Sequence, residues 1–413
     1  MSSPQTTSQI SIGERLRELV QIFSRLGCLG FGGPQAHIAM QNDEAVVRRQ
    51  WLTQEQFSDG MAVCEMLPGP ASTQMGIYLG YLRAGQLGAL VAGLAFITPA
   101  FLIVVTLSWA YFRWQALPQL GALFFGIAPV MIAIIIGFCW KLGKKSIHDG
   151  AGMVIAIAVG LAVGWGNLNP LLAFILAGLV GLVLYRPRRP SSIQPLWLPV
   201  GLMTSLPLAV TSAEVLTLSS FWGWERIGDF FGPLLTLFFK TGTFTFGGGL
   251  VIIPLLEFEV VDQLHWLTRS EFINGIAIGQ LSPGPVVLTS AFVGFKVAGV
   301  LGALVATVGI FTPSFLFIMA GAPVLLRIRQ NPWIQAFLQA VRPGVLGAIA
   351  AASIPLMQTA IFGQSSLVLA AIATTITLLS LAALIRFKVP TWQLVLSGGL
   401  VGLLTGVAFS THF

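Results

Sequence analysis

Two cations stand beside glycine-rich breaks in otherwise apolar stretches: Arg25 lies seven residues before Gly32, and Lys240 lies seven before Gly247. A glycine-proline break frees backbone N–H groups, each a partial positive charge, and with a fixed cation nearby these can hold an anion. The turns themselves, Gly32-Gly33-Pro34 and Pro68-Gly69-Pro70 in one place and Gly247-Gly248-Gly249 and Pro283-Gly284-Pro285 in the other, are neutral. They suit a small oxyanion better than a metal cation, which would need carboxylates or thiolates. An interfacial anchor is the other reading of Arg25 and Lys240, because a long basic side chain near a span's edge can snorkel to water. Ser282, Thr73 and Thr289 could add hydroxyls without adding charge. Glu65, a lone carboxylate before the first Pro-Gly-Pro, is a candidate proton carrier, with Gln280 in the equivalent place. A carboxylate paired with a nearby Arg or facing water is its alternative reading. His37 could titrate near neutral pH, but its equivalent is Ile252.

These residues belong to a stretch that occurs twice. FSRLGCLGFGGPQAHIAM (Phe23 to Met40), QWLTQEQF (Gln50 to Phe57) and MLPGP (Met66 to Pro70) return as FFKTGTFTFGGGLVIIPL (Phe238 to Leu255), HWLTRSEF (His265 to Phe272) and LSPGP (Leu281 to Pro285). The offset is 215 throughout, pairing Glu44 with Glu259, Asp59 with Asn274 and Trp51 with Trp266. It then slips to 214 and pairs Gly85 with Gly299, Pro99 with Pro313, Arg113 with Arg327 and Pro129 with Pro343. Two copies of one unit are a common plan for secondary transporters. Glu44 and Glu259 are expected to be structural, bonding backbone donors in a loop, and Trp51 and Trp266 to anchor at the interface.

The elements that position these groups live in lipid. Hydrophobic residues make up 55% of the 413, charged residues only 9%, and the mean hydropathy is +0.85. An average soluble domain has roughly 25% charged residues, so the chain reads as an all-α polytopic membrane protein. Continuous apolar runs without a period of two argue against a β-barrel. The net charge of +7 follows from basic cytoplasmic loops and does not call for nucleic acid. Cys28, Cys64 and Cys139 show no metal-ligand spacing with the histidines, so no metal or cofactor is expected. The N-terminus lacks the pattern of a cleavable signal.

Glu14 to Phe23 reads as an amphipathic helix along the interface, followed by Arg25 to Met40 with a break near Gly32 to Pro34. Phe57 to Leu79 is interrupted at Pro68-Gly69-Pro70. Ala84 to Phe112, Leu117 to Trp140, Gly150 to Trp165 and Pro170 to Tyr185 read as ordinary spans. A first repeat over residues 1–190, a linker over 191–229 and a second repeat over 230–413 follow. If Leu196 to Val210 in the linker crosses, the second copy is inverted, and Arg327, Arg329, Arg386 and Lys388 join Lys141, Lys144, Lys145, Arg186, Arg188 and Arg189 on the cytoplasmic side. About 12 to 13 crossings result, with the broken segments either spanning or re-entrant. Inversion would bring Arg25 and Lys240 to one midplane site from opposite sides.

FGGP and FGGG, the two WLT elements, and MLPGP and LSPGP, once per half of the chain, resemble the chromate ion transporter family in its long, two-domain form. The resemblance implies export of chromate from the bacterial cytoplasm across the inner membrane, driven by the proton motive force, with sulfate as competitor. It implies functional roles for Arg25, Phe31 to Pro34, Glu65 and Pro68 to Pro70, and for Lys240, Phe246 to Gly249, Gln280 and Pro283 to Pro285. Gly249 stands where the first copy has Pro34, so the half-sites are unequal. No enzyme activity is expected; a transporter or channel for sulfate or another tetrahedral oxyanion is the alternative. A homodimer is left open.

Overall fold

The computed structural model describes residues 11–186, 220–245, 248–329, 331–364 and 366–408. Every regular element among them is helical. A capping box between Ser11 and Glu14 starts α1 (Ile12–Leu29). The helix runs unbroken past Arg25, so the expected separation between an interfacial helix and a span beginning at Arg25 is absent. Gly27, inside this helix, is a packing contact: a Cβ there would run into the Phe96 carbonyl. The break comes at residues 30–33, where Gly32 (φ +119°) and Gly33 (φ +77°) take backbone angles that side chains disfavour. Pro34 then opens α2 (Pro34–Asn42), continued by a π-helical turn, Asp43–Arg48.

Ion pairs show where this arm goes. Arg49 bonds Glu18 near the start of α1, and Arg25 near its end lies 3.8 Å from Glu44. The arm therefore doubles back along α1 as a helical hairpin with the glycines at its tip. The second copy repeats the arrangement with α8 (Trp224–Thr243), α9 (Ile252–Leu256) and a π-helical turn, Glu257–Gln263, tied by Lys240 to Glu259. Gly242 meets the Ile310 carbonyl as Gly27 meets that of Phe96.

The WLT elements begin a second hairpin in each copy. Thr53 and Thr268 are N-caps with capping boxes, opening α3 (Gln54–Met66) and α10 (Arg269–Leu281). Each helix ends at its Pro-Gly-Pro, after which the chain returns through α4 (Ala71–Trp114) or α11 (Thr289–Arg329). Gly60 facing Tyr78, and Glu271 2.9 Å from Lys296, fix the return. Trp266 is buried against Phe230 and is not an interface anchor; Trp51 lies under the Arg83 guanidinium.

Neither α4 nor α11 is straight. Ala84-Gly85 and Ala298-Gly299 leave helical geometry, with the glycines at φ +63° and +54°. Gly80 abuts the Gly88 carbonyl and Gly294 that of Gly302, whereas eight residues of straight helix span about 12 Å. The chain thus reverses sharply at both places. The arms before the reversals, such as the 13 residues of α3, reach only about 20 Å, short of a hydrocarbon core of roughly 30 Å.

The remaining helices are exchanged between copies. α6 (Gly150–Gly164) and α7 (Pro170–Leu184) pack on α12 (Pro332–Met357), while α13 (Leu367–Arg386) and α14 (Thr391–Ala408) pack on α5 (Pro118–Ser146). Small residues allow the backbones to meet, Gly160 on Gly347 and Gly126 on Gly398 and Gly402. Six described stretches, within Ala71–Trp114, Pro118–Ser146, Val286–Ala320, Pro332–Phe362, Leu367–Arg386 and Thr391–Ala408, are long and apolar enough to cross a bilayer. The chain is an all-α polytopic membrane protein. The expected linker crossing, Arg188, Arg189, Phe246 and Gly247 lie outside the described residues.

Candidate functional site

The hairpin tips of both copies converge. The Gly69 N–H donates to the Thr245 carbonyl at 2.6 Å, linking the first Pro-Gly-Pro to the second copy's glycine-rich segment. His37 does the reverse: its Nε2 lies 2.7 Å from the Gly30 carbonyl and 2.9 Å from that of Pro283, with Nδ1 3.3 Å from Ser72 Oγ. Buried and bonded in this way, His37 is a bridge between the copies. Gly69 rests on Ser314 and Gly284 on Ala100, which are equivalent positions at the 214 offset.

Beside these tips lies a cavity of about 330 Å³. Gly32, Gly33, Pro34 and Gln35 line it from the first break, and Gly248 and Gly249 from the second. Glu65, Pro70 and Gln280 contribute from the Pro-Gly-Pro hairpins. The end of α5 supplies Lys141, Lys145 and Ser146, and α12 supplies Arg342. Gly33 caps α2 without a side-chain bond, so the start of that helix, beside the cavity, carries weak positive charge.

The sequence-derived residues divide. Gly32, Gly33, Pro34, Gly248, Gly249, Pro70, Glu65 and Gln280 come together around the cavity. Arg25 and Lys240 do not line it: each is held by the glutamate of its own hairpin, and Glu44 and Glu259 serve as their partners in place of the expected loop donors. Two cations facing one another at a midplane site are therefore not what the fold forms. The carbonyls of Pro68 and Pro283 accept from Gln74 and His37, and Pro285 caps the turn before Thr289. Ser282 Oγ bonds the Gly279 carbonyl and Thr289 Oγ1 that of Val286; with Thr73 they lie off the cavity.

Glu65 meets Lys145 at 3.3 Å, and Gln280 Oε1 accepts from Thr391 at 3.5 Å. Sequence reasoning assigned Lys141 and Lys145 to topology and passed over Arg342. Its signal was present: an isolated arginine ten residues into an apolar helix, between Val341 and Pro343, is costly unless it faces a cavity.

Fold and cavity together define a polytopic helical membrane protein with a charged cavity reached by both halves of the chain. The family described as Chromate transporter matches over residues 17–182 and 233–403, and the chain belongs to that family. It is 35% identical to the chromate transport protein of Cupriavidus metallidurans over 98% of both chains. It is 34% identical to the probable chromate transport protein of Synechococcus elongatus, over 83% of this chain and 84% of that one. Identity to the chromate transport protein of Pseudomonas aeruginosa is 32%, over 83% and 81%. No solved structure matches the chain.

Proposed function

We propose that the protein is a secondary transporter that exports chromate from the cytoplasm, driven by the proton motive force, with sulfate competing for the same cavity. The observation that carries this reading is the meeting of both glycine-rich breaks and both Pro-Gly-Pro hairpins at one cavity walled by Lys141, Lys145, Arg342, Glu65 and Gln280. Broken helices belong at membrane depth only where protein or a water-filled cavity surrounds them. Cations and helix-start amides stabilise an oxyanion there, and neutral breaks cost it nothing. Glu65 is the coupling group, its carboxyl taking up and releasing the proton at the cavity.

In this reading the two repeats, residues 1–190 and 230–413, are inverted with respect to each other, and the four tips are re-entrant. The reciprocal packing of α6 and α7 on α12, and of α13 and α14 on α5, supports it. The cavity includes the end of α5 but the early part of α12, so these corresponding helices pass it in opposite directions. Residence in the bacterial inner membrane follows from the same reading, and a homodimer is compatible with it.

Transport into inside-out vesicles tests the proposal. Chromate should accumulate under an imposed pH gradient, sulfate should compete, and an uncoupler should abolish accumulation. Equilibration without accumulation would establish a passive channel. Glu65→Gln should transport at a rate that no longer follows the pH gradient; an unchanged response assigns coupling to another group.

A further inference from the structure

Among the described residues, four ionisable side chains line the cavity: Lys141, Lys145, Arg342 and Glu65. Lys145 and Glu65 form a neutral pair at 3.3 Å. Neither Lys141 nor Arg342 meets a carboxylate among the described residues. Around them the wall is apolar, with Met61, Phe138, Leu142, Val341 and Val345. Three cations and one carboxylate leave a formal sum of +2 on exposed groups, and an excess of one sign in a concave site raises the local concentration of counter-ions.

We propose that Lys141 and Arg342 form the oxyanion subsite and that the cavity selects by valence. A tetrahedral dianion brings its total charge to zero; a tetrahedral monoanion of similar size leaves one cation uncompensated. Arg342 presents a planar fork of donors to two oxygens of the anion, and Lys141 acts as a point charge. The Lys145–Glu65 pair sets the count, since removing the carboxylate would raise the sum to +3. Arg342 has no structural counterpart in the first copy, where the equivalent position is Ala128. A role common to both repeats does not account for it. This inference rests on the oxyanion-transport reading and adds the valence of the substrate and the groups that read it.

The test uses the full-length protein in proteoliposomes, with uptake of sulfate, a tetrahedral dianion, measured against perrhenate, a tetrahedral monoanion. Wild type should favour sulfate. Arg342→Gln should lower the sulfate-to-perrhenate ratio about tenfold, the order expected when one unit charge close to the anion is removed. Glu65→Gln should move the ratio the other way. The double variant Arg342→Gln/Glu65→Gln restores a sum of +2 and should return the ratio toward wild type, an outcome that a merely structural role for Arg342 does not give. An unchanged ratio in Arg342→Gln, or a double variant no better than Arg342→Gln, overturns the valence filter while leaving oxyanion transport standing. Should Arg342→Gln move neither anion, the double variant decides: recovered sulfate transport supports the count, and continued inactivity rejects it. A wild type that carries neither sulfate nor chromate removes the transport reading itself.

Discussion

Lys240 and Arg25 occupy equivalent positions, yet their ion pairs differ in burial. The Lys240 side chain is 29% exposed and bonds a Glu259 that is 11% exposed, whereas Arg25 is 62% exposed and stands 3.8 Å from Glu44. Taking one partner from a buried pair strands the other charge, at a cost that reaches 3–5 kcal/mol for full burial, while exposed pairs contribute about 0–1. Lys240→Ala should therefore destabilise the protein by about 1–3 kcal/mol, and Arg25→Ala by less than about 1. Thermal unfolding in detergent measures both, and equal losses would refute the argument. A Lys240→Met/Glu259→Gln pair should recover most of the Lys240→Ala loss, because no stranded carboxylate remains. The sequence displayed both cations and both glutamates at one offset, but not that each cation meets the glutamate of its own hairpin, Glu44 being shared with Arg48 and Arg49. That pairing depends on the arm doubling back, a tertiary fact that periodicity does not carry. Arg342 was legible as a lone charge in an apolar helix; which wall of which cavity it faces was not.

Breaks were easier to read than continuity at the scale of elements. The glycine and proline clusters at residues 30–34 and 68–70 interrupt helices as their propensities require. The reversals at Ala84-Gly85 and Ala298-Gly299 were half legible: Ala84 marked the start of a span, and Gly85 and Gly299 matched in register, but a lone glycine in an apolar run does not announce a hairpin. The two reversals have nearly the same backbone angles and different surroundings. A Cβ on Gly85 would meet nothing within 4 Å, whereas one on Gly299 would stand 2.6 Å from the Phe221 and Ser220 carbonyls. Gly85→Ala should thus cost only the strain of a backbone conformation that essentially glycine alone adopts, about 1–3 kcal/mol. Gly299→Ala adds a clash with rigid backbone and should lower folded yield and melting temperature well beyond that. Comparable behaviour of the two variants would show that the segment around Phe221 yields easily.

The whole molecule has two chemically distinct ends. α5 starts four residues after Trp114 and runs to the Lys141–Ser146 end, about 43 Å for its 29 residues. Tyr185 bonds Asp149, the cap of α6, and so closes the first repeat at the Lys141 end. Phe221 packs on Trp109 and beside Gly299, and so the described chain resumes at the Trp114 end. Arg83, Arg49, Arg186, Arg386 and Lys388 gather with the α5 lysines, since α13 runs alongside α5 through Thr377 and Pro129. The Trp114 end is closed by Tyr111 on Asn274 and by the Lys296–Glu271 pair over Phe112. Basic loops face the cytoplasm, which would make the Lys141 end cytoplasmic and open the cavity's exposed Glu65, Lys141 and Arg342 to that side. Two substitutions in a chain whose Cys28, Cys64 and Cys139 have been replaced test this arrangement. Tyr185→Cys should react with a membrane-impermeant maleimide only in inside-out vesicles, and Phe221→Cys only in right-side-out ones. Labelling of both from one face would mean that the repeats share an orientation, and the cavity could not then be loaded from the cytoplasm in the manner its charges suggest.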